Sequence, residues 1–392
     1  MPPEPPSPVF DVVVLGAGPA GTSAARAAAE AGARVCVLER MAVPRYKTCG
    51  GGLVGLSVDH AGIDLAPLVR SRVDVLTMTL DGRYPVTRCR KDGRPLLSMV
   101  MRSELDAALL DSAKAAGAEV RTGVHVTGLR EEGTAEPGRG EVAVQVRSGP
   151  AVRARVVVGA DGTSGRAGTH VGVTCDQVDV GLEGEFEVPA PVAGEWSGRM
   201  LLDWGPVPGS YGWVFPKGDV LTVGVIGARE HGPALRRYYD ALVERLGLTA
   251  APRLHDSGHL TRVRAAGSPL RRGRVLLAGD AAGLLDPWTR EGISFALRSG
   301  RLAGISAAAG AAGDPTALDR YPARIEGVFG PEIAAGRSVL AVFTRRPALM
   351  HTMMTRVPGT FGLFGRIIEG RSTIARQLRR PGVAAAIAAL GR

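Results

Sequence analysis

Cysteine is scarce: Cys36, Cys49, Cys89 and Cys175 are spread over 392 residues, with no CxxC pair and no histidine at metal-ligand spacing. That argues against a disulfide framework and a zinc site and for a reducing cytoplasm, so no metal is expected. Lysine is rarer than arginine by an order of magnitude, with Lys47, Lys91, Lys114 and Lys217 the only four among 48 basic residues. No apolar run reaches the roughly 18 residues of a membrane helix, because Arg, Glu or Asp interrupts each one. Residues 1–8 are proline-rich without an apolar centre and read as a flexible tail, with no sign of a secretory signal. GxSxG, HExxH and Walker-type loops are missing, which removes the common hydrolase and nucleoside-triphosphatase readings. The seven histidines fall in no motif, and His255 and His259 read as a surface coincidence.

The remaining composition, 45% hydrophobic and 22% charged, is that of a globular protein. The length predicts two or three domains at about 150 residues each. The net charge of +10 is uneven. Residues 331–392 hold ten arginines against Glu332 and Glu369. Such a concentration predicts an anionic partner: a membrane surface, a polyphosphate or a nucleic acid.

Val9–Leu15 is an apolar run too short for a helix, so it reads as a buried strand. Gly16-Ala17-Gly18-Pro19-Ala20-Gly21 follows, then an alanine-rich helix over 22–31 and a second strand over 34–38 ending at Glu39. This is the βαβ element of a parallel sheet. Gly16 permits a tight turn, Gly18 lets backbone approach a pyrophosphate, and Gly21 lets helix and strand pack closely. The helix N-terminus presents free N–H groups and its positive dipole end to phosphates. Glu39 is placed to accept bonds from ribose hydroxyls, which favours FAD or NAD over NADP. Two further strands end in polar turns: Gly159-Ala160-Asp161-Gly162, and Arg274 to Asp280 followed by Pro287 and Glu291-Gly292-Ile293. Asp280 can hold a ribityl chain, and the helix start at Gly292 and Ile293 can face the pyrimidine edge of a flavin.

These motifs, in this order, resemble the FAD-dependent oxidoreductases of the aromatic hydroxylase type. Two rarer stretches, Pro44-Arg45-Tyr46-Lys47-Thr48-Cys49-Gly50-Gly51-Gly52 and Tyr211-Gly212-Trp213-Val214-Phe215-Pro216-Lys217-Gly218, are similar to the geranylgeranyl reductase family, over roughly residues 9–330. The resemblance implies an α/β fold in which a Rossmann-like FAD-binding domain (9–52, 101–170 and 265–330) interleaves with a β-sheet substrate domain (53–100 and 171–264), followed by a helical region at 331–392. It implies tightly bound, non-covalent FAD contacted by Gly16, Gly18, Gly21, Glu39, Arg40, Cys49, Gly50, Arg102, Val126, Asp161, Asp280, Pro287, Gly292 and Ile293. It further implies saturation of polyprenyl double bonds, with NADPH, NADH or ferredoxin as a transient electron donor.

Read from the residues themselves, the three glycines after Cys49 clear a loop for a flat ring or a sliding chain, with Gly51 and Gly52 on the substrate side. Cys49 either positions an alkene and relays a proton or fills space. Tyr211, Trp213 and Phe215 alternate on a strand and share one face, favouring an apolar tunnel in which Tyr211 and Trp213 stand nearest the chemistry. Lys217 pairs with a substrate phosphate or snorkels at the surface. Arg290 departs from the family pattern, where a small residue is usual, and is expected to reshape the pocket or bind an acidic substrate. The expected partner is a small isoprenoid, with no nucleic acid, a monomeric state, and a cytoplasmic location with peripheral membrane contact through 331–392. The alternatives are a flavin monooxygenase or halogenase and, in another class, a non-catalytic prenyl-binding protein.

Overall fold

The computed structural model describes residues 9–133 and 140–391; the tail predicted at 1–8 lies outside them. Phe10–Leu15, Pro19–Glu30 and Val35–Glu39 form the expected strand–helix–strand unit. Phe10–Leu15 pairs in parallel with Val35–Glu39 on one side and with Val152–Gly159 on the other. Val275–Leu277 and Glu119–Thr122 extend the same parallel order outward. Continuous runs of valine and leucine suit the inner strands, which helices cover and leave buried, while the edge strand Glu119–Thr122 stays partly exposed.

The helix Ile293–Ala311 crosses Pro19–Glu30 at contact distance. Gly300 and Gly304 make this possible: a Cβ on either would stand 2.1–2.2 Å from the Ala20 or Ala24 carbonyl oxygen. The Ser23 hydroxyl donates to the Leu297 carbonyl at 2.7 Å and fixes the crossing. That contact brings the N-terminus of the second helix beside the glycine-rich turn.

A seven-stranded sheet stands next to this layer, in the order Arg253–Arg264, Cys175–Glu187, Val220–Ala228, Tyr211–Pro216, Arg199–Trp204, Val75–Leu80 and Arg83–Cys89. The helix Gly232–Arg245 packs Leu235, Tyr238, Tyr239 and Leu242 on it. Pro331 does not interrupt the C-terminal helical region: the helix Pro315–Arg345 carries Pro322 and Pro331 inside it. A proline removes one intrahelical bond, and the neighbouring turns of a long packed helix tolerate that loss. Beyond it, Pro347–Arg356, Thr360–Ile368 and Ile374–Leu378 turn Met350, Met354, Phe361, Phe364, Ile367 and Ile374 toward Leu76, Met78, Met200 and Trp204. No described helix is long and apolar enough to cross a membrane.

Candidate functional site

A cavity of about 870 Å³ runs between the two sheets and the C-terminal helices. At one end lie Gly16, Gly18, Glu39, Arg40, Val126 and Asp161. Gly16 has φ +94°, and a Cβ there would meet the Ala160 oxygen at 2.5 Å. A Cβ on Gly21, behind the turn and outside the cavity, would meet the Gly16 oxygen at 1.9 Å. Gly18 differs, since its missing Cβ faces open space with only the Arg45 guanidinium 3.9 Å away. The helix begins there with no side-chain cap, which leaves N–H groups of its first turn for an anion.

Glu39 is 4% exposed and accepts from the Ala17 N–H at 2.8 Å and the Met41 N–H at 3.0 Å. Arg45 stands 3.9 Å from Glu39 and 3.3 Å from the buried Asp106, which also takes both bonds of Arg102 at 2.9 Å. The turn thus has a cation on its open side and a rigid acid on its closed side. Asp161 accepts from the Arg166 and Ala167 N–H groups and so starts the following helix, while its other oxygen is buried without a partner. Burial raises its pKa.

Farther along, Asp280, Gly292 and Ile293 line the cavity opposite Cys49, Gly50, Gly51 and Gly52. Glu291 caps the helix start, accepting from the Ser294 N–H at 2.8 Å and its hydroxyl at 2.5 Å. Lys47 and His259 also face this stretch. Burial pushes the Lys47 ammonium down to about 8, with the Arg102 charge adding and Asp280 opposing. Burial, then the Lys47 charge, pushes His259 down to about 4. His259 is therefore a cavity residue, which corrects the reading of a surface coincidence with His255. The two lie on the strand Arg253–Arg264, where alternate residues share a face.

The far end is apolar. Tyr211, Trp213 and Phe215 all face the cavity, continued by Leu76, Met78, Trp204, Trp288, Phe343 and Phe364. Trp213 fits because Gly224, its register partner on the next strand, has no Cβ, which would stand 2.2 Å from the indole.

Three expectations end differently. Lys217 is neither at the surface nor in the cavity: its ammonium is buried against Glu185 at 3.3 Å, behind the glycine loop. Arg290 does line the cavity, yet its guanidinium is taken by Asp179 at 3.1 Å and by the Trp288 and Gly209 carbonyls at 2.8 and 3.1 Å. Those protein acceptors hold it 5.7 Å from the Tyr211 ring centroid, which agrees with the pocket-shaping alternative and not with a contact to an acidic substrate. Pro287 does not line the cavity; its carbonyl accepts from the Gln177 side chain at 2.9 Å and its ring packs under Gly336. Arg45, Lys47, Glu183, His259 and the tunnel end were not singled out by sequence reasoning. Only their places in strands and in the Cys49 loop hinted at them.

Among the described residues, six that line the cavity hold buried polar atoms without a protein partner: Asp161 Oδ1, Thr163 Oγ1, Glu183 Oε2, Trp213 Nε1, His259 Nε2 and Thr261 Oγ1. An open glycine cradle, an acid at the second strand tip, and orphaned polar atoms beyond it fit an elongated dinucleotide with a polar ring.

The family model described as "FAD binding domain" matches residues 9–326. The chain is 34% identical over 353 residues to digeranylgeranylglycerophospholipid reductase 2 of Methanopyrus kandleri, covering 82% of this chain and 83% of that one. Among solved structures it superimposes on a geranylgeranyl bacteriochlorophyll reductase-like protein of Thermoplasma acidophilum with a TM-score of 0.76, at 21% identity, covering 97% of this chain and 99% of the other. It also superimposes on a flavin-dependent brominase with a TM-score of 0.72, at 18% identity and 97% coverage of both chains. At such identities the two structures share the fold.

Proposed function

The chain belongs to the geranylgeranyl reductase family of FAD-dependent oxidoreductases, and from that premise we propose that it saturates carbon–carbon double bonds in a long isoprenoid substrate. The observation that carries this reading is the continuity of one cavity, from the glycine cradle through the Cys49 loop to a tunnel of aromatic and aliphatic side chains. Bound FAD supplies hydride chemistry, and the protein supplies place and charge. In this reading Gly18 and the first turn of its helix hold the pyrophosphate with Arg45 as counter-charge. Glu39 takes the ribose, Asp280 the ribityl chain, and the N–H groups at Gly292 and Ile293 the pyrimidine edge. Trp213 and Phe215 hold the alkene-bearing chain flat; the glycines expected to clear space for a chain instead admit the protein's own atoms, since a Cβ on Gly50, Gly51 or Gly52 would meet the Phe215 ring at 2.8 Å, the Val100 carbonyl oxygen at 2.2 Å or Leu97 at 3.1 Å.

The electron donor, NADPH, NADH or a ferredoxin, docks transiently in this proposal, since the chain has one dinucleotide fingerprint. We propose peripheral contact with an anionic membrane through the exposed arginines after Arg345 and the exposed apolar helix Val383–Leu390. The apolar residues between 349 and 368 are largely turned inward and are not that surface. The test is anaerobic: dithionite-reduced protein is mixed with geranylgeranyl diphosphate or a prenylated lipid and flavin absorbance is followed. Reoxidation with a saturated product is expected. Reoxidation by oxygen alone would replace this reading with a monooxygenase or halogenase, and a colourless protein would leave a prenyl-binding module.

A further inference from the structure

One wall of the cavity carries a chain of hydrogen-bonded hydroxyl groups that leads to a buried carboxyl group. It begins at Glu183, 1% exposed, in the strand Cys175–Glu187. Its Oε1 accepts from the Cys49 N–H at 2.9 Å and the Tyr46 hydroxyl at 3.1 Å, while its Oε2 has no partner. Tyr46 is also 2.9 Å from the Ser257 hydroxyl, and Ser257 is 2.8 Å from the Thr48 hydroxyl. In both of these links either oxygen can donate. Tyr46, Thr48 and Glu183 line the cavity, and Ser257 is the register partner of Glu183 on the next strand.

We propose that Glu183 is the proton reservoir of the reaction and that Tyr46, Ser257 and Thr48 carry its proton to the cavity. The proposal rests on the alkene-reductase reading, because saturating a double bond takes one hydride and one proton. The hydride is what a reduced flavin supplies to one alkene carbon; the proton must reach the other. The Thr48 O–H bond breaks as its proton is taken by the alkene π pair, and a new C–H bond forms. In the neutral acid the proton sits on Oε1 and is donated to the Tyr46 oxygen; each oxygen then receives its neighbour's proton, so Thr48, Ser257 and Tyr46 end as hydroxyls and Glu183 ends as a carboxylate that accepts from Tyr46. The Cys49 N–H and the nearby Lys217 ammonium stabilise that carboxylate. Water entering after product leaves restores the proton by the same chain in reverse.

The electrostatics agree with this assignment. Burial raises the Glu183 pKa, Lys217 and the Cys49 bond oppose it, and the Glu185 charge adds to it. From the other packed elements, the Tyr239 hydroxyl of the helix Gly232–Arg245 lies on the opposite face of the strand, against Gly184, and His255 stacks on Tyr46 with ring centroids 3.9 Å apart. A raised pKa moves a cavity-wall carboxyl group toward the neutral form that can donate a proton.

Infrared spectroscopy of the flavin-loaded protein tests this without any substrate. A protonated-carboxyl band is expected at neutral pH, lost in Glu183→Gln, and its shift on mixing with deuterium oxide should slow about tenfold or more in Tyr46→Phe. Thr48→Val, checked for flavin content and circular dichroism, should slow it as well. With a reducible isoprenoid, Glu183→Gln should lower kcat on the order of 100-fold at unchanged KM and remove the fall in rate at alkaline pH. An ionised Glu183 at neutral pH, or exchange at the wild-type rate in both hydroxyl variants, overturns the relay. Band loss and slowed exchange in a protein that reduces no isoprenoid would sink the substrate reading and leave the relay standing.

Discussion

At the residue scale two of the three glycines in the dinucleotide turn, Gly18 and Gly21, separate folding from binding. A side chain on Gly18 meets nothing nearer than the Arg45 guanidinium at 3.9 Å. Gly18→Val should therefore give a folded protein that purifies without flavin, and a variant with full yellow colour would mean the phosphates lie elsewhere. Gly21→Ala sets a methyl group 1.9 Å from the Gly16 oxygen and should cost roughly 2–4 kcal/mol of stability, read from denaturant midpoints. His259 adds a pH signature. Its folded pKa of about 4 lies below the ordinary imidazole value of 6.5, so between these values the unfolded chain binds more protons and stability falls as pH drops. Thermal melts of His259→Asn should lose that part of the acid limb; an unchanged limb would move the effect to buried carboxylates.

At the element scale the strand Tyr211–Pro216 carries the substrate prediction. Trp213 is 8% exposed, seated over Gly224 on one side and facing the cavity on the other. Trp213→Ala should raise KM for long prenyl chains more than for short ones, since the lost contact area is worth a few kcal/mol at about 25 cal/mol per Å². An equal loss for all lengths, together with a large fall in Tm, would make the indole a packing residue only. The turn before Gly292 offers a contrast. Asp286 accepts from the Trp288 and Thr289 N–H groups, and Arg290, at φ +55°, is clamped among Asp179 and two carbonyls. Arg290→Gly should keep flavin and loosen Tyr211, which makes its hydroxyl bond to the Thr289 carbonyl.

At the scale of the whole molecule, charge and cover are divided between two faces of the same region. Phe343, Met350, Met354 and Ile374 close the tunnel end over the seven-stranded sheet, while Arg345, Arg346, Arg356, Arg366, Arg371, Arg376, Arg379 and Arg380 stay exposed. Sedimentation with anionic vesicles at low salt should pull the protein down, and neutral vesicles or high salt should release it. No binding to anionic vesicles would leave these helices as a cover for the cavity. Phe364→Ala, at the tunnel end, should widen the accepted chain length without changing flavin content.

What the sequence by itself determined is local. The dinucleotide turn, Glu39 at its strand tip and the Cys49 glycine loop are each written within a few dozen residues, because a turn, a helix start and a strand end are set by neighbours along the chain. The alternation of Tyr211, Trp213 and Phe215 placed them on one face for the same reason, though not which side that face would meet. Only the tertiary structure decided the rest. It buried Lys217 against Glu185, paired Arg290 with Asp179, carried a helix through Pro331, and set His259 and Glu183 into the cavity from strands that pair far apart in sequence. A charged side chain's role depends on which opposite charge and how much water it meets, and those come from segments hundreds of residues away.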